Sequence, residues 1–193
     1  MNGTAVNAAG CADCGGKCCR EYQVGVTVRD VRVLAEGTAM RPSDFIRLLN
    51  TKKEGFRLRP DGPAKKLYLQ RSAEDTGCVF LMEIASGRAR CGVYAHRPLV
   101  CSTFPMSIQR GVVTLREDTV CGPDSWNLAA MDLPACRREL THDDAARAEH
   151  REIIRAWNKR VDASGREASP QELYDYLMSY PLEATPQAHT EST

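Results

Sequence analysis

Two periods of apolar positions divide this chain. Short runs in which apolar and polar residues alternate, the period of a half-buried strand, occur at 22–28 and again between residues 55 and 117. Glycine-containing turns inside the second stretch predict three β-hairpins, over 56–70, 78–94 and 106–117. We therefore expect this part of the chain to be built from short antiparallel strands.

Helical spacing of apolar residues is found on both sides of these hairpins. Thr27 and Asp30 have the spacing of a capping box, which predicts a helix from residue 28 that Gly37 closes. Ser43 is placed to cap a second short helix that runs to residue 50. In the C-terminal third, Thr141 and Asp144 again have capping-box spacing, and Ser169 is followed by Pro170 and Glu172, so Thr141 and Ser169 are predicted to begin two further helices. The residues predicted to face inward on these last two helices are Ile153, Ile154, Trp157, Val161, Leu173, Tyr174, Leu177 and Tyr180.

These elements predict an α+β fold, in which a cysteine-containing domain of short β-hairpins and helices carries a C-terminal helical extension. We expect the domain to span 11–135 and the helical segment that packs on it to span 136–182. Residues 1–10 and 183–193 have few apolar side chains to bury, so both are predicted to be flexible.

The charges of the chain nearly cancel, with 26 lysine and arginine residues against 25 aspartate and glutamate residues. A balanced surface offers no broad positive field for a phosphate backbone or an anionic lipid surface, so we expect neither nucleic acid nor a membrane as a partner. The first ten residues lack the basic start and the apolar run of a secretory signal, and no stretch has the length of a membrane span. The expected location is the cytoplasm, and no protein partner can be named.

The cysteines are the main candidates for chemistry. Four of the nine lie between residues 11 and 19, in the stretch CADCGGKCCR. Reducing compartments oppose structural disulfides, and an odd number of cysteines cannot all pair internally. Adjacent α-carbons lie about 3.8 Å apart, whereas an unstrained disulfide needs roughly 4.4 to 6.8 Å, so Cys18 and Cys19 should not bridge each other. A metal or iron–sulfur site is therefore favoured over a disulfide knot.

The spacing of the cysteines does not fit the simple metal modules. The five downstream cysteines are single, so the two C-x-x-C pairs of a zinc ribbon are not both present. The first cluster also differs from the ferredoxin pattern and from the C-x3-C-x2-C pattern of radical S-adenosylmethionine enzymes. A site that draws ligands from both halves of the sequence remains, and tetrahedral thiolates suit zinc and iron equally. Because consecutive side chains diverge in an extended segment, Cys18 and Cys19 are predicted to serve different ions.

The first cluster, followed by CVFLMEIASGRARCGVYAHRPLVCSTFP and a later cysteine, resembles the YkgJ-type cysteine-cluster family, also described as the CxxCxxCC zinc- or iron-chelating domain. The eight cysteines that match its pattern are Cys11, Cys14, Cys18, Cys19, Cys78, Cys91, Cys101 and Cys121. Other matching positions are Tyr94, Arg97, Pro98, Phe104 and Pro105. The resemblance implies that the eight thiols bind zinc or iron, the latter in an iron–sulfur cluster as one option. It assigns no catalytic residue.

Three positions near this pattern are treated separately. The chain has three residues instead of two before the double cysteine, and Ser102 stands where the family commonly has an arginine. Cys136 falls outside the pattern, and its role is left open. His96 lies inside the cysteine region, but with eight thiols available it is not included among the expected ligands.

The resemblance leaves an enzymatic alternative. The same cysteine cluster occurs in flagellin lysine N-methylases, which are longer proteins, so an iron–sulfur-dependent redox enzyme or a protein related to lysine N-methyltransferases is the second hypothesis. This chain has no glycine-rich strand-to-helix loop of the kind that holds a nucleotide-like cofactor. A third hypothesis is an interaction module whose metal is structural. Metal chelation remains the leading one.

Overall fold

The computed structural model of the protein describes residues 15–74, 77–84, 87–121 and 125–182. The helices are α1 (Lys17–Glu21), α2 (Val28–Thr38), α3 (Pro42–Phe45), α4 (Leu99–Thr103), α5 (Leu133–Ser164) and α6 (Pro170–Ser179), with 3₁₀ turns at Tyr94–His96 and Leu128–Ala130. The strands are β1 (Ile46–Asn50), β2 (Lys65–Leu69), β3 (Leu81–Ile84), β4 (Arg88–Cys91), β5 (Met106–Gln109) and β6 (Val112–Leu115). Helices combined with short antiparallel strand pairs confirm the α+β class.

Several predictions fall outside the described residues. They concern the ends of the chain at 1–10 and 183–193 and the first two cysteines of the motif, Cys11 and Cys14. These predictions, and the domain boundary placed between residues 135 and 136, stay predictions.

Two of the three predicted hairpins are confirmed. β3 pairs with β4 from Leu81 opposite Cys91, and β5 pairs with β6 from Met106 opposite Leu115. At the tip of the β5–β6 hairpin, Arg110 and Gly111 have φ angles of 50° and 78°, in the left-handed region that tight hairpin turns require.

The predicted helix over 43–50 and the predicted hairpin over 56–70 were both wrong. Residues 43–50 do not form one helix, because the chain is helical only from Pro42 to Phe45 and then extends as β1. β2 pairs with β1 rather than with residues 56–60, and Phe56 makes only an isolated bridge to Lys65. The pairing places Ile46 opposite Leu69, and both side chains are buried. Contact with a distant strand has overridden the local helical pattern.

The strand predicted over 22–28 is an extended segment with an isolated bridge. Gly25 bridges to Tyr68, and the flanking backbone bonds join Val26 N to Leu67 O at 3.1 Å and Leu69 N to Val24 O at 2.9 Å. The segment therefore lies along the free edge of β2. Its regular pairing with β2 covers too few residues for a third strand.

The capping box of α2 is confirmed, but its predicted end was wrong. Asp30 accepts from the Thr27 amide at 2.8 Å, and the Thr27 hydroxyl accepts from the Asp30 amide at 3.3 Å. Gly37 lies within the last turn, and Ala39 takes the left-handed conformation that ends the helix. The absence of a side chain at Gly37 instead leaves room for the ring of His96.

The C-terminal third is helical as predicted, with one boundary corrected. α5 begins at Leu133, where the Asp132 side chain accepts from the Ala135 amide at 3.0 Å, and continues through Thr141. The Thr141 hydroxyl donates to Arg137 O one turn earlier, so the threonine is an internal residue of the helix and not its cap. The Ser169 capping box at the start of α6 is confirmed.

The buried side chains form two apolar clusters. The larger one, called here the helical core, joins α2, β1 and β2 to the C-terminal half of α5 and to α6. Seven of the eight inward-facing predictions, all except Tyr180, are buried in it. Tyr180 is the half-buried C-cap of α6. The smaller cluster consists of Met106, Val113, Trp126, Cys136 and Leu140.

α5 has the length of a membrane span but lacks the apolar character, and none of the other helices in the described ranges combines the two properties.

Candidate metal centre

The double cysteine lies on α1, which is fixed to the rest of the molecule by backbone hydrogen bonds. Cys78 N donates to Cys19 O at 2.8 Å, and the Arg71 guanidinium donates to Arg20 O at 2.9 Å. These bonds join the motif to a part of the chain more than fifty residues away. They place the thiol-bearing turn directly beside Cys78.

Gly16 allows α1 to approach the β3–β4 hairpin closely. It precedes the helix with a φ angle of 73°, and a Cβ at this position would lie 2.7 Å from Leu81 and 3.2 Å from Ala89. Any other residue would be strained there and would also push α1 away from the hairpin. The glycine is thus needed for the position of Cys18.

The β3–β4 hairpin brings Cys78 and Cys91 to the same end. Leu81 N donates to Cys78 O at 2.8 Å, and Leu81 is directly opposite Cys91 in the strand register. Gly92 N donates to Phe80 O at 2.8 Å and continues the pairing beyond Cys91. Two cysteines separated by a hairpin therefore meet at its open end.

Cys101 is positioned by α4 and by a buried carboxylate. Oδ1 of Asp30 accepts from Leu99 N, the first amide of α4, at 2.8 Å, while its Oδ2 caps α2. Asp30 is only 4% exposed, so this carboxylate joins the starts of two helices inside the protein. Its position determines where the helix that carries Cys101 begins.

The structure brings four of the predicted ligands into one electrostatic neighbourhood. Burial raises the pKa of Cys101, and the charges of Cys78, Cys18 and Cys91 raise it further. Burial also raises the pKa of Cys78, with smaller contributions from Cys91 and Cys18. We call Cys18, Cys78, Cys91 and Cys101 the four-thiol cluster. Thiols whose charges act on one another lie in the same region of the protein, where Cys78 is buried and the other three are half-buried.

Two other influences act on the cluster. The hydrogen bond with Cys19 and burial raise the pKa of Cys18, and the two sulfur atoms lie 4.0 Å apart. Burial raises the pKa of Cys91, whereas a backbone hydrogen bond and the Arg97 guanidinium lower it. A cation would replace the thiol protons and remove the mutual repulsion of the thiolates, so the donor chemistry fits a bound metal.

The thiols are of a chemical type that binds zinc or iron, but their sulfur atoms do not form a closed coordination shell. Within the described ranges, no three cysteine, histidine, aspartate or glutamate side chains are arranged so that they could hold a metal ion directly. Metal binding at the cluster would therefore require the sulfur atoms to move towards a common point.

Cys121 and Cys136 lie beside apolar side chains and not within the four-thiol cluster. Cys136 is fully buried in the smaller apolar cluster, and the half-buried Cys121 packs against the same cluster. The segment before Cys121 is nevertheless tied to the N-terminal motif, because Val120 N donates to the Tyr22 hydroxyl at 3.0 Å, and that hydroxyl donates to Asp118 O at 3.3 Å.

A family model, CxxCxxCC, described as a "putative zinc- or iron-chelating domain", matches residues 10–123, more than half of the chain. The chain belongs to this family. The family assignment supports zinc or iron as the bound ion. The match includes all eight predicted cysteine ligands and excludes Cys136. No curated protein and no solved structure matches the chain.

Sequence reasoning missed the second role of Asp30. The capping box showed that its carboxylate would bind the start of α2, but nothing local indicated that its other oxygen would bind the start of α4. Arg97, a family position, lies over the ring of Tyr94 at 4.2 Å in a cation–π contact next to the cluster.

Proposed function

We propose that the chain chelates one zinc or iron ion through the thiolates of the four-thiol cluster. The proposal is carried by the backbone bonds that set α1 beside Cys78, by the register that sets Cys78 and Cys91 at one end of the β3–β4 hairpin, and by the charges of these thiols and Cys18, which act on Cys101 of α4. When bound, such an ion supplies a tetrahedral cross-link between segments that are distant in sequence. Its contribution is comparable with the stability of a domain, since structural zinc binds small domains with about 10 to 16 kcal/mol.

The protein's own residues give the site its properties. Burial raises the pKa of Cys78 and of Cys101 and so disfavours isolated thiolates, and the cluster should therefore release protons only in exchange for a cation. The positive charges of Arg71 and Arg97 act on Cys78 and Cys91 and offset part of the negative charge of a thiolate complex.

The remaining family cysteines complete the proposed ligand set of eight. They are Cys11, Cys14, Cys19 and Cys121. The 4.0 Å approach of the Cys18 and Cys19 sulfur atoms and the bond between Val120 and Tyr22 support a position for Cys19 and Cys121 beside the first four. A second ion held by this group would leave Cys18 and Cys19 as ligands of different ions.

The proposal is tested by elemental analysis and a visible spectrum of protein purified without oxygen. Replacement of Cys101 or Cys78 by serine should remove one ion per chain. Cys136→Ala is the matched control, because this thiol is buried like that of Cys78 but lies among apolar side chains, and it should retain the full metal content. Circular dichroism of the helical core shows whether a variant that has lost metal is still folded.

Two results would overturn the proposal: folded wild-type protein without zinc or iron, or full metal content in both the Cys78→Ser and the Cys101→Ser variant. The spectrum also identifies the ion. A colourless zinc protein points to a structural site, whereas a brown protein whose absorbance is bleached by dithionite points to an iron–sulfur centre and revives the redox alternative. We further propose that the protein works in a reducing compartment such as the cytoplasm, where its thiols stay available for metal.

A further inference from the structure

A cleft of about 660 Å³ lies beside α4. Its walls are the end of α4, strand β5, the residues that follow β6, and the first half of α5. Val100, the neighbour of Cys101, lines the cleft, whereas none of the cysteines that the structure describes does. The cleft is therefore a separate site that shares one helix with the four-thiol cluster.

The floor of the cleft is apolar. Val100 and Phe104 contribute from α4 and its end, Met106 from β5 and Leu140 from α5. Ile108 also lines it and is 37% exposed, so part of the apolar surface is open to a ligand. A ligand with an aliphatic portion would cover this surface.

The rim of the cleft carries more negative than positive charge. Arg116 is paired with Asp118 at 3.1 Å, and Arg147 with Asp143 at 3.0 Å, so both guanidinium groups that line the cleft are already neutralised. Two further carboxylates, Glu117 and Asp144, line opposite walls. In the described part of the chain, neither of them forms an ion pair, so the rim retains an excess of negative charge.

A buried carboxylate supplies an independent observation. Asp143 lines the cleft with only 10% of its side chain exposed, and its Oδ2 binds Arg147. Its Oδ1 is buried and has no hydrogen-bond partner among the described residues. Burial raises the pKa of Asp143, the paired Arg147 offsets part of this rise, and the nearby charges of Asp30 and Asp144 add to it. An unsatisfied buried acceptor is costly, and a donor group in the cleft would relieve that cost.

We propose that this cleft binds a primary alkylammonium group, carried either by a free amine or by the side chain of a lysine in a peptide. The ammonium group is attracted by Glu117 and Asp144 and donates to Asp143, while the aliphatic stem covers the floor at Ile108 and Phe104. A bare divalent cation fits less well, because the carboxylates lie on opposite walls and no three of them in the described ranges could hold one. An anion would meet the negative rim.

The test uses the full chain as purified, labelled with ¹⁵N, and n-butylammonium as the probe. Saturable shifts of amide signals should map to α4, β5 and the first half of α5. n-Butyrate and n-butanol, which share the stem but not the positive charge, should give no comparable saturation. Asp144→Asn and Glu117→Gln, both at exposed positions, should weaken binding about tenfold when combined, as expected for the loss of charge-assisted contacts. Asp175→Asn, an exposed change on α6 outside the cleft, is the matched control and should leave binding unaltered.

Two further arms compare the sources of the ammonium group. A diamine that binds more tightly than a capped lysine peptide identifies free amines as the ligand class, and the reverse result identifies protein lysine. Equal binding of n-butylammonium and n-butanol, shifts outside the cleft, or full affinity in the Asp144→Asn/Glu117→Gln variant would each overturn the proposal. None of these results depends on which metal the thiols bind.

Discussion

The helical core and the four-thiol cluster are held together by different forces. Trp157 and Leu173 in the core are at most 2% exposed, and long elements surround them. The thiols lie on elements of four or five residues and at the ends of a hairpin, where single hydrogen bonds such as Cys78 N to Cys19 O fix the backbone. The core is thus stabilised by apolar burial that the chain supplies itself. The cluster, which shares Cys78 with that core, places together thiols whose ionised forms repel one another, and it gains from a bound cation.

Two cysteines on different elements show the same contrast. Cys136 is 0% exposed among Met106, Val113 and other apolar side chains, where it serves as a small hydrophobic residue. Cys101 is half-buried, and the charges that act on it belong to three other thiols and Asp30. The surroundings of a cysteine, and not its burial alone, therefore separate a candidate metal ligand from a packing residue.

The largest expected effect is in the helical core. Replacement of Trp157 by alanine should lower the free energy of unfolding by about 3 to 5 kcal/mol, because it leaves a cavity and removes the bond from Nε1 to Arg57 O. Denaturant titration measures the change. Arg155→Ala, an exposed change on the same helix, should stay within about 0.5 kcal/mol. Metal content should be unaltered in both variants under conditions in which they are folded, and its loss in folded Trp157→Ala would show that the two regions are not independent.

The second prediction concerns the pH dependence of stability at the start of α2. The His150 ring packs edge-on against Phe56 at 5.4 Å, and its Nδ1 accepts from Val28 N at 3.2 Å, which requires a neutral ring. Burial, with positive charges nearby, lowers the pKa of His150 from 6.5 to about 4.

The direction of the pH effect on stability follows from the number of protons that the folded and unfolded chains bind. Between pH 6.5 and 4 the unfolded chain binds a proton that the folded protein excludes, so the full stability is present above pH 6.5 and is lost as the pH falls towards 4. The total loss from this residue should reach at most about 3 kcal/mol. Unfolding titrations across this range measure it. The His150→Gln variant should not show this loss of stability. If its free energy of unfolding still falls with pH as steeply as that of the wild type, His150 is not the cause of the loss.

A third prediction addresses the link between the two regions. Asp30→Asn should lower the free energy of unfolding by about 1 to 3 kcal/mol, because an amide cannot accept from both Thr27 N and Leu99 N. The variant should also expose Cys101, which alkylation followed by mass spectrometry would detect as faster labelling. Asp175→Asn should change neither property. Unaltered labelling of Cys101 would mean that α4 keeps its position without the carboxylate.

The smallest effect is expected far from the thiols. Ser169→Ala should reduce stability by about 1 kcal/mol, since the hydroxyl accepts from Glu172 N at 3.1 Å and caps α6. Thermal unfolding should reveal the loss, with metal content unchanged. Ser179→Ala at the other end of the helix serves as a control, and an equal loss there would argue against a capping effect.

Local signals in the sequence were reliable where one turn of chain contains the whole interaction. The capping boxes at Thr27 and Ser169 satisfy amides three residues away, and the turn at Gly111 needs only a permitted φ angle. The same type of signal failed at Thr141, since capping-box spacing also occurs inside a helix, where the hydroxyl can bond to the preceding turn. It failed at residues 46–50 because pairing with β2 decided their conformation.

The residues alone were enough to predict the family, the caps of α2 and α6, two of the hairpins and the set of cysteines from which a metal site can be built. The folded chain was needed to show that the charges of Cys18, Cys78 and Cys91 act on Cys101, and that Cys136 lies in an apolar cluster instead. The bonds responsible, such as Cys78 N to Cys19 O and Leu99 N to Asp30, join residues more than fifty positions apart. Residue spacing encodes contacts within a turn or a hairpin, whereas contacts over that distance depend on how the whole chain packs.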